Sequence, residues 1–364
     1  MNVLVTGVGR YLGAHLAARL AAHPRVRRVV GVDAVHPTED LAELLSGRVE
    51  VLTGDMRALV GAVTEGDFDA VAHMGVQSTP GRSGRSAMKE HNIIGTMQLL
   101  AACQATPGLH KLVVRSSTAA YGASFRDPAV FTESTPPTLM PRGGYAKDII
   151  EIEGYVRGFT RRRPDVTTTV LRLAPFVGPD ADTTLTRFFA LPAVPTVFGR
   201  DPRLQFIHVD DVLEILVRSV VENHRGTYNV AGAGVITLSQ AIRRAGRVAV
   251  PVVEPGMSAF AAFVKASGIG EFSLDQLDLF VHGRVVDTTR LVEEYGYRPR
   301  TTEEAFADLV DGRGLTRPGS FAVLRPETVT ALEALVLDGI RAVRAAASAR
   351  LAGAIGRRGG PGND

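Results

Sequence analysis

Residues 1 to 13 read Met-Asn-Val-Leu-Val-Thr-Gly-Val-Gly-Arg-Tyr-Leu-Gly, an apolar strand running into a glycine-rich turn and then a helix. Few features restrict a fold so tightly. Gly7, Gly9 and Gly13 fall where the backbone must turn sharply and come close to a diphosphate. The helix beginning near Tyr11 then aims its unpaired N–H groups and positive dipole end at that anion. Gly7, Gly9, Arg10, Tyr11, Leu12 and Gly13 are therefore the expected diphosphate cradle. About twenty-six residues after Gly7, the strand Val29-Val30-Gly31-Val32 ends in Asp33. A carboxylate there can accept both adenosine ribose hydroxyls and would repel a 2′-phosphate. Strand, loop, helix, second strand and terminal acid together predict a dinucleotide site. They favour NAD over NADP, with Arg10 in the loop pulling the other way.

Short apolar runs at 2–6, 28–33, 49–53, 69–73, 111–116 and 167–173 alternate with helical patterns. That rhythm predicts an α/β fold, a Rossmann-type doubly wound parallel sheet with helices on both faces. Two connections are rich in turn residues: 77–85, after the fourth strand, and 122–144, after the fifth. Both leave the carboxyl edge of the sheet, where open α/β proteins bind ligands. Beyond residue 176 the rhythm breaks into shorter elements punctuated by Pro179, Pro192, Pro195 and Pro202. The division expected is a dinucleotide-binding domain over 1–175, a smaller mixed substrate lobe over 176–315, and a linker with an amphipathic helix over 316–364. In that helix Leu332, Val336, Ile340, Val343, Ala347 and Leu351 form the apolar stripe. Such a stripe packs on its own domain or on a partner subunit more often than on an anionic membrane surface.

At 364 residues the chain can bury a large core, and 45% hydrophobic with 22% charged residues is ordinary globular composition. A net charge of +3 calls for no nucleic-acid partner. Nine scattered histidines and the single Cys103 suggest no metal site, and one cysteine permits no intrachain disulfide. No charged and then apolar leader precedes the first strand, and no apolar run approaches the roughly 20 residues that span a bilayer. A cytoplasmic location is expected.

Several motifs occur in the order found in one known family. Leu52-Thr-Gly-Asp-Met-Arg57 follows the third strand, and Val71-Ala-His-Met-Gly75 ends the fourth. His91-Asn-Ile-Ile-Gly-Thr-Met-Gln98 carries an Asn-x-x-Gly-Thr pattern. Ser116-Ser-Thr-Ala-Ala-Tyr-Gly122 closes the fifth strand, Tyr145-Ala-Lys-Asp-Ile149 opens a helix, and Phe206-Ile-His-Val-Asp-Asp211 and Tyr228-Asn-Val-Ala231 come later. Over residues 1 to about 315 the chain resembles the extended short-chain dehydrogenase/reductases, in the NAD-dependent epimerase/dehydratase branch that includes UDP-glucose 4-epimerases. The resemblance implies that Asp55 and Met56 contact the adenine, that Met74 and Gly75 line the cofactor, and that Asn92 braces the active-site strand. It implies Ser117 and Tyr145 as the catalytic pair, Pro175 beside the cofactor, and His208 with its neighbouring aspartates as fold-maintaining residues. His73 reads as structural. A small-molecule substrate, a nucleotide sugar in this family, and a homodimer are the partners it implies. For the dimer, Ile149, Ile152, Val156 and Phe159 offer an apolar face that could equally cover the sheet.

The chain departs from the family pattern in telling places. Ile149 occupies the lysine position of Tyr-x-x-x-Lys. Lys147 cannot replace it, because i and i+4 share a helix face whereas i+2 points nearly the opposite way. The family's lysine holds the nicotinamide ribose and lowers the tyrosine pKa. A tyrosine at its ordinary pKa of about 10 is ionised in roughly one molecule per thousand at neutral pH, a handicap of about 4 kcal/mol. The positive charge of oxidised nicotinamide would recover part of it. The middle glycine of the family's first loop is Arg10, with Gly9 one place earlier. The Arg-x-x-Asn pattern appears as Arg172-Leu-Ala-Pro175, and a later family arginine falls on Leu204 instead of neighbouring Arg203. Two functions follow: an NAD-dependent sugar-nucleotide epimerase/dehydratase-like oxidoreductase using Ser117 and Tyr145 without the lysine, or a catalytically silent NAD(H)-binding regulatory protein.

Overall fold

The computed structural model describes residues 1–54, 60–61, 63–64, 66–80, 83–137, 139–141, 144–252 and 274–316. The six strands expected from the sequence are β1 (Asn2–Thr6), β2 (Arg28–Asp33), β3 (Glu50–Thr53), β4 (Ala70–His73), β5 (Lys111–Ser117) and β6 (Thr167–Leu173). A seventh, β7 (Gly226–Val230), returns from the later part of the chain and pairs with β6. The order across the sheet is β7-β6-β5-β4-β1-β2-β3, with every neighbouring pair parallel. Between β1 and β4 the order reverses, which opens a crevice above the carboxyl ends of those two strands.

The strands alternate between two apolar layers, as the period of two requires. Val3 and Val5 of β1 and Val113 of β5 join one cluster, which includes Leu12, Leu16 and Leu20 of α1 (Tyr11–Ala21). Leu4, Val71, Leu112 and Val114 face the other, against Leu99 and Cys103 of α2 (Gly95–Ala105) and one side of α3 (Gly144–Arg162). Ile149, Ile152, Val156 and Phe159 of α3 are at most 1% exposed. They cover this chain's own sheet and present no surface to a partner.

The helix α4 (Val209–Val221) rejoins the first layer through Val212, Leu216 and Val220, just ahead of β7. A third, aromatic cluster gathers Phe188, Phe189, Phe206, Phe280 and Phe306, with the Phe188 and Phe280 rings stacked 4.2 Å apart. The late chain also ties down the connection after β5. The Phe131 N–H donates to Val285 O at 2.9 Å, and the Asp287 N–H donates back to Phe131 O at 2.7 Å. Among the described residues no helix is long and apolar enough to cross a membrane, and no three His, Cys, Asp or Glu side chains gather as metal ligands would. The linker and amphipathic helix expected beyond residue 316 lie outside the described residues.

Candidate active site

The glycine loop is built so tightly that side chains have no room. A Cβ on Gly7 would sit 2.7 Å from the Gly75 Cα, on Gly9 2.3 Å from Val35 O, and on Gly13 2.1 Å from Gly7 O. Gly7 also adopts φ +82°, where residues with a Cβ are strained. The Gly9 and Val35 N–H groups donate to the two oxygens of Asp33, at 3.0 and 3.2 Å, so the acid that ends β2 is held by the loop itself. Gly13→Ala must therefore push α1 off the turn. Overpacking of this sort costs about 1–3 kcal/mol. At about 2–4 °C per kcal/mol for a domain of this size, calorimetric melting of the Gly13→Ala protein should show Tm lowered by roughly 2–12 °C.

Two cavities flank this loop. The smaller, about 460 Å³, is lined by Gly7, Asp33, Gly54, Gly75, Glu90 and His91 among others, and its described lining holds no lysine or arginine. The larger, about 480 Å³, takes in Arg10, Tyr11, Leu12 and Gly13, then Met74, Ser117, Tyr145 and Pro175. Arg10 thus lines the larger cavity and Asp33 the smaller. Burial pulls its guanidinium below the ordinary value, Asp33 opposing and Arg115 adding to the shift. Its Nε is buried with no hydrogen-bond partner. Asp55 and Met56, expected against the adenine, lie outside the described residues.

Under the loop runs a hydrogen-bond chain whose direction is forced. Thr6 Oγ1 accepts the Met74 and Gly75 N–H groups, both at 3.1 Å, so its own proton goes to His73 Nδ1 at 2.9 Å. His73 Nε2–H must then donate to Thr96 Oγ1 at 2.9 Å, and the Thr96 hydroxyl donates to Asn92 O at 2.5 Å. His73 is consequently neutral, and burial, with His91 and Arg115 adding, lowers its pKa to about 3. It is structural, as read from the sequence. Because the folded-state value lies below the unfolded one, the unfolded chain takes up this proton first as pH falls. The stability tied to His73 is complete above pH about 6.5 and drops by roughly 1.4 kcal/mol per unit below it. His73→Gln keeps an acceptor and a donor but cannot titrate, so its urea-unfolding stability should fall less steeply between pH 7 and 5.

Asn92 is 1% exposed, and its side chain is fully engaged elsewhere than expected. It accepts the Gln77 N–H at 2.8 Å and donates to Gln77 O at 3.0 Å and Asp148 Oδ2 at 2.9 Å. It therefore braces the segment after β4 against α3, and it is not among the lining residues of either cavity.

Ser117 and Tyr145 line the same cleft. Ser117 Oγ accepts the Ala119 N–H at 3.1 Å, which leaves its own O–H free to donate to a ligand. Behind them Tyr121 and Gly122 end the short helical turn, Gly122 at φ +76°. Ile149 is completely buried in the apolar layer, and Lys147 is exposed, so neither offers a cation to this cleft. Leu204 is buried in the aromatic cluster, and Arg203 bonds Ala129 O on the surface. The arginines that do reach the cleft are Arg10, Arg115, Arg187 and Arg284. Of these only Arg10 was read from sequence. A strand arginine such as Arg115 carries no local signal of where it faces.

Directly beneath, charged groups are paired out of water. Ser116 Oγ donates to Glu153 Oε1 at 2.6 Å, and Arg172 meets the same carboxylate through Nε at 2.9 Å and Nη2 at 2.7 Å. Arg172 Nη1 also donates to Tyr121 Oη at 2.8 Å, whose hydroxyl donates to Asn229 at 2.7 Å. Burial alone would lower the Arg172 pKa, but Glu153 more than reverses this and it ends above its ordinary value. Arg85 fixes the start of α3 through Asp148, with contacts of 2.9 and 2.5 Å.

Residues 3–231 match the model of the NAD dependent epimerase/dehydratase family. A protein of Mycobacterium tuberculosis described as uncharacterized is 46% identical over 318 residues, covering 86% of this chain and 84% of its own length. Among solved structures, the UDP-glucose 4-epimerase of Thermotoga maritima with UDP-glucose superposes with a TM-score of 0.66 at 20% identity, over 86% of this chain and 98% of that one. A dTDP-glucose 4,6-dehydratase of Streptomyces venezuelae with NAD bound gives a TM-score of 0.67 at 20% identity, over 89% and 100% of the two chains.

Proposed function

The chain belongs to the NAD-dependent epimerase/dehydratase family, and from that premise we propose that it is a sugar-nucleotide epimerase or dehydratase working with a Ser/Tyr pair and no lysine. The observation that carries this reading is Ser117 and Tyr145 on one cleft that continues into the glycine cradle. The residues suit a dinucleotide: a loop where a Cβ would fill the ligand's space, and buried Nε atoms of Arg10 and Arg115 without partners. Asp33 would take the adenosine ribose hydroxyls. With no described lysine or arginine in that cavity, NAD is the cofactor we assign over NADP.

Bound NAD would supply a hydride acceptor and donor at its nicotinamide ring. The protein's part is proton handling and orientation. Ser117 donates its hydroxyl to a substrate oxygen, and Tyr145 takes the proton from that oxygen and returns it. Leu173, Ala174 and Phe280 give the cleft an apolar part of its wall. A homodimer remains part of the reading. It rests on the half-exposed Ile94 and Met97 beside and within α2, not on the interior face of α3.

The test is turnover of UDP-, dTDP- and GDP-sugars by the NAD-loaded protein, followed by NMR and mass spectrometry with Tyr145→Phe as the blank. Conversion that depends on Tyr145 is the expected result, and conversion equal in both proteins would end the assignment. Ile149 at the lysine register favours a second reading, an NAD(H)-responsive protein without turnover. That reading predicts dinucleotide binding with no sugar product.

A further inference from the structure

The lysine register holds a buried isoleucine, yet the cleft is rich in positive charge. Arg10, Arg115, Arg187 and Arg284 line it, and Asp182 is the one carboxylate among its described lining residues. Asp182 is taken up by Arg187, whose Nε donates to it at 2.7 Å. Arg284 Nε donates to Gly122 O at 2.8 Å. Arg10 and Arg115 are differently placed. Among the described residues no carboxylate forms an ion pair with either, and each has a buried Nε without a hydrogen-bond partner. Arg115 Nη1 reaches only the carbonyl oxygens of Met74 and Val76, at 3.5 and 3.3 Å. Arg115 stands two residues before Ser117 on β5, hence on the same side of the strand. Arg10 feels the attraction of Asp33, which forms no ion pair with it, as well as the repulsion of Arg115.

We propose that Arg10 and Arg115 supply the positive charge that the lysine register lacks, so that the cleft holds the neutral, reduced nicotinamide more tightly than the cationic, oxidised one. This rests on the cofactor reading given above. Going from the oxidised to the reduced ring removes one positive charge from a cleft that already carries two unpaired ones. In a partly buried site such repulsion is only weakly screened. The diphosphate is identical in both forms, so its contacts with either arginine cancel in the comparison. Tighter binding of the reduced form makes the bound cofactor a stronger oxidant, which favours withdrawal of a hydride from substrate. The arginines would thus perform, through the cofactor, part of what a lysine performs through the tyrosine.

The experiment titrates the full-length protein separately with NAD⁺ and NADH, by calorimetry and by NADH fluorescence. The wild-type protein should bind NADH more tightly. Arg115→Gln should shrink the ratio of the two dissociation constants about tenfold, which for a two-electron couple is about 30 mV, whereas Arg115→Lys should preserve it. Arg10→Gln gives an independent reading should Arg115→Gln fail to fold, and a smaller ratio is again expected. If the substitutions weaken both forms in proportion, or leave both unchanged, the proposal is overturned and the arginines serve the diphosphate or the fold. If the wild-type protein binds neither form, the cofactor reading itself falls and this inference with it.

Discussion

Tyr145→Phe should lower kcat for sugar-nucleotide turnover by about 10²–10⁴-fold, the usual contribution of a positioned general acid–base group. The substitution removes one oxygen from a side chain that is 8% exposed and packed beside Ala146 and Ile149 in the second apolar layer, so the fold should persist. Cofactor affinity should fall far less than kcat. Single-turnover absorbance at 340 nm distinguishes the outcomes, because a variant that still forms reduced cofactor from bound NAD at the wild-type rate would show that another group takes the proton. Ser117→Ala should lose activity comparably, and the double substitution little more than either single one, since residues acting as a unit are far from additive.

Glu153→Ala should be the most damaging single change to stability. It strands the Arg172 guanidinium, whose side chain is 13% exposed, beside a vacated site. Breaking a buried pair by removing one partner costs about 3–5 kcal/mol. At about 2–4 °C per kcal/mol for large domains, Tm should fall by roughly 6–20 °C. Replacing both partners with apolar residues, Glu153→Leu with Arg172→Met, should recover much of that loss, because no uncompensated charge remains. Calorimetric melting of wild type, single and double variants checks it. A single variant as stable as wild type would mean that Arg172 is sustained by Tyr121 and the Glu133 carbonyl alone.

How much of this was legible in the residues follows from how local each signal is. The first βαβ unit is local: three glycines, a helix start and a terminal acid lie within thirty-odd positions, and the structure assembles them as the spacing requires. The strands of the sheet likewise announce themselves as short apolar runs, because parallel strands covered on both faces have no polar side to show. Ser117 and Tyr145, singled out through the family resemblance, lie on one cleft. What escaped is non-local. β7 carries Thr227, Tyr228 and Asn229, and nothing in that short run says it will pair with β6 some fifty residues earlier. Glu153 looks like a solvated helix residue until Ser116 and Arg172 are placed against it. Asn92 was read towards β5, but its partners, Gln77 and Asp148, sit on two other elements. Arg115 is the plainest case, a cation within an apolar strand whose neighbourhood exists only after folding.

Gly7 and Gly75 lie back to back on the wall of the smaller cavity, close enough that one methyl group would not fit between them, while Met74 and Val76, the chain neighbours of Gly75, line the larger. A dinucleotide reaching from one cavity into the other, as proposed above, would behave as a bivalent ligand with a short tether. Each half would have its own chamber: one lined by the carboxylates of Asp33 and Glu90, the other by arginines. Much of the affinity for the whole molecule would then come from the high effective concentration of the second half once the first is seated, so the adenosine chamber and the arginine-lined chamber need not each bind tightly on their own.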